Sequence, residues 1–238
     1  MSPRNERTGR MSISEHVCDR GFIHDADLRK ELAMTAYDKI IDHAKGSRHV
    51  AGVPRRITPE ILAVCGTLGG ESPPVYLPVT PAPGAFMARC YMNVEYCLDE
   101  GDEMRFGWLI WEMPGVFLTA EHHAVLERDG RLYDVTPQVH GETRVLFLPI
   151  DDPRSQPASI PNRYTPLVEH PLIREAVRLM EENQRIAGAG EYDSPRFRRN
   201  DEECATKLDD YFRLLLLRRQ RAVKKVGRAK KKAARKRR

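Results

Sequence analysis

A chain of 238 residues, 41% hydrophobic and 31% charged, is long enough for one or two folded domains. Its net charge of +5 is unevenly spread: 18 Lys and Arg face 5 Asp and Glu from Arg196 onward, against 21 and 29 before it. An acidic body therefore carries a basic arm, and attraction to polyanions belongs to the arm. Apolar runs such as Trp108–Trp111 and Leu214–Leu217 are far too short to make a membrane-spanning helix.

Five cysteines (Cys18, Cys65, Cys90, Cys97 and Cys204) are an odd number with no Cys-x-x-Cys pair, which favours free thiols in a reducing setting. The first residues show no apolar h-region, so the sequence predicts an unprocessed cytoplasmic protein.

Residues 1–22 read as a polar, mobile lead-in. Leu28, Leu32, Tyr37, Ile40, Ile41 and Ala44 then recur at helical spacing from Asp27 to about Lys45, where Gly46 supplies a stop. Thr58-Pro59-Glu60 has the form of an N-cap with proline at the first helical position, opening a short helix that Gly66 ends. Pro73, Pro74, Pro78, Pro81 and Pro83 hold an extended connection. A helix follows with Met87, Cys90, Tyr91, Val94, Cys97 and Leu98 on one apolar face and Gly101 placed to end it.

Strands are predicted over 104–112, 116–127, 131–135 and 144–150, rich in aromatic and β-branched residues and separated by Gly, Pro or Asp-Gly. Pro166 to Asn183 reads as an amphipathic helix. A final helix covers Asp201 to about Val226, with Leu208, Tyr211, Phe212, Leu215 and Leu216 inward. The expected fold is α+β: a mostly antiparallel sheet packed by helices, with a domain over 23–195 and a helical basic arm over 196–238.

Asp129-Gly130 is a two-residue hairpin signal, because both central positions of a type I′ turn need positive φ. That register pairs Arg128 with Arg131, Val125 with Asp134 and His123 with Thr136. His123 and Asp134 then become diagonal neighbours on one face, within side-chain reach. His122 points to the other face, beside Ala124, Leu126, Tyr133 and Val135, as a packed histidine. A one-residue slip would exchange the two histidines.

With Cys90 near the start of its helix, the unsatisfied N–H groups and the positive end of the helix dipole favour a thiolate. His123 holds the proton, Asp134 fixes the imidazole tautomer, and the Cys90 N–H helps an oxyanion. Nothing in this pattern calls for a cofactor. Two plainer alternatives stand beside it: Cys90 as a small core hydrophobe, and Asp134 as the opening of a turn before Thr136-Pro137. A zinc site on Cys90, His123 and Asp134 would need a fourth ligand from Glu121, His122 or His140.

Cys90-Tyr91-Met92-Asn93, the strand Gly107-Trp108-Leu109-Ile110-Trp111, and His123-Ala124-Val125 followed by Gly130-Arg131-Leu132-Tyr133-Asp134-Val135-Thr136-Pro137 resemble the core of transglutaminase-like enzymes. The arylamine N-acetyltransferases are similar in core and carry an Asn soon after the nucleophile. The resemblance implies a papain-like fold and cysteine-dependent acyl chemistry, hydrolysis or transfer, with Cys90, His123 and Asp134 as the triad. Val125 stands where transglutaminase-like sequences often have Trp, and no glycine immediately precedes Cys90. A fainter resemblance joins Arg199-Asn200-Asp201-Glu202-Glu203-Cys204 to the zinc-binding SEC-C motif, of whose several ligands only one cysteine remains.

The last 21 residues hold 13 Lys or Arg and no acid. Lys224, Lys225, Arg228, Lys230, Lys231, Lys232, Arg235, Lys236, Arg237 and Arg238 are the candidate contacts to nucleic acid or another polyanion, with little sequence choice. No aromatic follows Phe212, which disfavours base stacking. A silent member of the same fold that docks on nucleic acid or a ribosome is thus the alternative to the enzyme, and a solvated tail is the plain reading of the arm.

Overall fold

The Asp129-Gly130 turn forms as its residues dictate, with φ of 52° and 69°. It sets Arg128 opposite Arg131, Glu127 opposite Leu132 and Leu126 opposite Tyr133. The structure is a computed structural model and describes residues 49, 51–70, 72–150, 160–192 and 194–236; beyond Arg221 in the last helix, only the Lys224 side chain is described. The expected lead-in over 1–22, the helix over 27–45, Cys18, Arg237 and Arg238 lie outside the described residues.

The elements in chain order are α1 (Pro59–Thr67), β1 (Val75–Pro78), α2 (Cys90–Cys97), β2 (Glu103–Met113), β3 (Phe117–Arg128), β4 (Arg131–Tyr133), β5 (Arg144–Pro149), β6 (Arg163–Pro166), α3 (Pro171–Gly188) and α4 (Pro195–Lys236). The fold is α+β. Its six-stranded, mostly antiparallel sheet runs β1-β5-β2-β3-β4, with β6 also on β3. The two ends of that order meet: Val79 forms a parallel bridge with Asp134, Thr80 N–H donates to Asp134 O at 2.7 Å, and Ala82 N–H donates to Val135 O at 3.0 Å. The sheet is nearly closed as a result.

The described residues fall into two compact units. The first holds Gly52–Trp111 and Ala120–Ile160. One face of its sheet packs Leu77, Leu109, Val125, Val145 and Phe147 together. The opposite face of β3, through Ala124 and Leu126, packs with Val135 against Cys90, Val94 and Cys97 of α2. Gly107 is required where β2 pairs with β5, opposite Pro149, since a Cβ there would lie 2.2 Å from Leu148 O and 2.4 Å from the Phe147 ring.

The second unit gathers Glu112–Thr119 and the residues from Pro161 onward, with His49. Its core is Ile173, Ala176 and Leu179 of α3 against Cys204, Leu208 and Tyr211 of α4, with Met113, Val116 and Phe117. The buried Asn183 amide donates to Phe197 O at 3.2 Å and ties the two helices.

Three boundaries differ from the sequence reading. Pro166 ends β6 (Arg163–Pro166) instead of opening α3, which begins at Pro171 with the His170 ring accepting from Leu172 N–H as its cap. The final helix runs from Pro195 to Lys236, longer at both ends than 201–226, because its Ala, Lys and Arg positions are good helix formers. Finally, α2 begins at Cys90, not at Met87, because Ala88 has φ of 55° and cannot belong to a right-handed helix.

Candidate active site

Cys90 is the first residue of α2. The first helical bond runs from Asn93 N–H to Arg89 O at 2.9 Å, and no side chain caps the turn. The early N–H groups of a helix have no intrahelical acceptor and carry its positive end, so the thiol stands beside them. Asn93 fixes this start. Its Oδ1 accepts from Phe86 N–H at 3.0 Å, while its Nδ2 donates to Phe86 O at 2.7 Å and to Thr136 Oγ1 at 3.1 Å. One buried amide thus joins the chain before α2, the helix itself and the segment after β4.

The hairpin register delivers His123 to Asp134. His123 Nε2 and Asp134 Oδ1 are 3.0 Å apart, with 4% and 0% of the two residues exposed. Asp134 Oδ1 also accepts from Thr136 N–H at 3.0 Å, and its Oδ2 accepts from the Gln138 amide at 2.6 Å. One carboxylate oxygen thus closes the turn and also bonds the His123 ring. With Nε2 committed to Asp134, Nδ1 is the ring's remaining nitrogen, and Cys90 is the second group whose charge acts on the ring.

Electrostatics couple the three groups. Burial opposes a charge on His123, but Asp134, through its charge and its hydrogen bond, and then Cys90 hold the ring's pKa well above the ordinary histidine range. Glu121, two residues earlier on the same strand face, accepts from the Trp111 indole N–H at 3.0 Å. Burial raises its carboxyl above the usual range, opposed by His123 and the Trp111 bond and reinforced by Asp134.

His122 takes the other face. Its Nδ1 lies 2.5 Å from Tyr91 Oη, its ring stacks with Tyr91 and Phe106, and Trp108 meets it edge-on at 5.0 Å. Cys90 itself is 7% exposed, with Ala82, Val94, Cys97, Ala124, Leu126 and Val135 in its cluster. Its thiol therefore has hydrocarbon around it, and its access to solvent is narrow.

The other thiols differ. Cys65 is buried and its thiol is pushed up to about 11. Cys204 sits inside α4, donates to Ala176 O at 3.6 Å and is pushed up to about 12, chiefly by burial. Cys97 is disulfide-bonded, a departure from the free core thiol expected of it. Among the described residues, no three His, Cys, Asp or Glu side chains are grouped to hold a metal ion, and no helix is long and apolar enough to cross a membrane.

Of the basic candidates, Lys224 is exposed, and Lys225, Arg228, Lys230, Lys231, Lys232, Arg235 and Lys236 lie along α4. Sequence reasoning missed Gln138, the Asn93 clamp and the Tyr91–His122 pair. Asn93 had a signal, in its place three residues after the cysteine; Gln138 lies in a loop without periodicity and had none.

No protein-family model, no curated protein and no solved structure matches the chain.

Proposed function

We propose that the first unit is a papain- or transglutaminase-like core that performs cysteine-dependent acyl chemistry at Cys90, His123 and Asp134. The observation that carries this reading is the buried His123 ring, bonded through Nε2 to Asp134 Oδ1 at 3.0 Å, its pKa held above the ordinary histidine range against burial by Asp134 and Cys90. Its support is chemical, since a thiolate at an uncapped helix start, an imidazolium and a buried carboxylate in that order are what the reaction needs.

The Cys90 thiolate attacks an amide or ester carbonyl carbon, and the C=O electron pair moves to oxygen near the first N–H groups of α2. On collapse, the carbon–nitrogen or carbon–oxygen bond breaks and the leaving group takes the His123 proton. A thioester remains on Cys90. Water or an amine then attacks that thioester, His123 accepts the proton, and the sulfur leaves as thiolate. Asp134 keeps the ring in one tautomer throughout.

The test is acyl trapping with a small activated ester, p-nitrophenyl acetate, followed by peptide mass mapping. The expected result is an acetyl group on Cys90 that hydroxylamine removes, absent in Cys90→Ala and formed at least tenfold more slowly in His123→Asn. Acetylation spread equally over Cys65, Cys90 and Cys204, or unchanged in His123→Asn, would overturn the proposal.

A further inference from the structure

The last helix carries a directed charge. Its 42 residues span about 63 Å at 1.5 Å per residue, and its core residues end at Phe212. From Arg213 to Arg221 every residue is exposed, as is Lys224. Helical periodicity from Arg218 to Lys236 gathers nine basic positions, among them Arg221, Lys225, Arg228 and Lys232, within about 140° of the circumference. The other side carries Ala222, Val223, Val226, Gly227, Ala229, Ala233 and Ala234, and only Arg219 and Lys230 of the basic residues. The basic row is about 27 Å long.

We infer that this stripe docks α4 on the phosphate backbone of duplex DNA, without regard to base sequence. Such a row releases condensed counterions when phosphates replace them. The small residues opposite it make a slim helix, and the B-form major groove, about 12 Å wide, admits an α-helix, whereas the major groove of A-form RNA is deep and narrow. The absence of any aromatic after Phe212 removes the stacking that single strands use. Opposite the stripe the apolar residues are only Ala, Val and Gly, and the exposed leucines before it, Leu214–Leu217, are consecutive and so spread round a full turn, leaving no apolar face of the kind that enters a lipid surface. Lys224, Arg228, Lys232 and Lys236 follow one another at four-residue spacing, where like charges destabilise a helix, so a polyanion along the row relieves them.

The experiment measures full-length protein against short mixed-sequence duplex DNA by fluorescence anisotropy across a salt series, with duplex RNA, single-stranded DNA and anionic phosphatidylserine vesicles as parallel arms. Duplex DNA binds tightest, with a slope of log affinity on log salt of about −4 or steeper, and helical circular dichroism rises on binding. Two variants of equal net charge isolate the stripe: Lys225→Gln with Lys232→Gln weakens binding about tenfold, and Arg219→Gln with Lys230→Gln about twofold or less. Equal losses in the two variants, no duplex binding at moderate salt, or tighter binding to RNA, single strands or vesicles would overturn the inference. Cys90→Ala leaves DNA binding unchanged, so this result and the fate of the acyl chemistry are read separately.

Discussion

Asn93 Nδ2 donates to Thr136 Oγ1 across 3.1 Å in the buried interior, and so links the helix that begins at the thiol to the turn that holds the carboxylate. The same amide brackets Phe86 through its backbone N–H and C=O. Replacing it strands the buried Thr136 hydroxyl and removes the partner of two backbone groups of the half-buried Phe86. Asn93→Ala is expected to cost about 3 kcal/mol in denaturant unfolding and to slow Cys90 acetylation in the fraction that remains folded. A loss below about 0.5 kcal/mol, the ordinary range for an inconsequential surface change, would mean that the clamp does not hold the site together.

His123 makes stability depend on pH in a defined direction. Its folded pKa is raised by Asp134 and Cys90 against the opposing effect of burial. The interaction is therefore fully present below the unfolded histidine value of about 6.5 and is lost as pH rises through the folded value. Unfolding free energies of the wild type and His123→Gln, compared from mildly acidic to alkaline pH, are expected to differ most at the acid end and to converge as pH rises. A gap that widens with pH would contradict the assigned direction.

The antiparallel pairing of β2 with β5 has no room for a side chain at position 107. A Cβ 2.2 Å from the Leu148 carbonyl meets backbone, which cannot rotate away. Gly107→Ala is expected to lower stability by about 1–3 kcal/mol, as overpacking does, read as a lower denaturant midpoint. An unchanged midpoint would show that the two strands separate at little cost.

Much of the site was legible because a two-residue turn sets everything that follows it. Asp129-Gly130 fixed Arg128 against Arg131, and period-two alternation then chose His123 over His122 as the partner of Asp134. The short strands β1 and β6 were not legible. Pro78 ends the first and Pro166 the second, and both are defined by pairing with strands distant in sequence. The near-closure of the sheet through Val79 and Asp134 is likewise a long-range contact that no local pattern announces. The helix start at Cys90 depends on a positive φ at an alanine, a conformation that glycine, but seldom alanine, signals in advance.

The most direct measurement is the alkylation rate of each free thiol in the native protein by iodoacetamide, a reagent small enough for a 7% exposed cysteine, mapped by mass spectrometry at neutral pH. The account predicts that Cys90 reacts at least tenfold faster than Cys65 and Cys204, whose thiols burial pushes up to about 11 and about 12, and that His123→Asn removes the advantage. If Cys90 reacts no faster than those two, or as fast without the imidazole as with it, the pairing of sulfur and ring does not activate the thiol and the acyl chemistry falls.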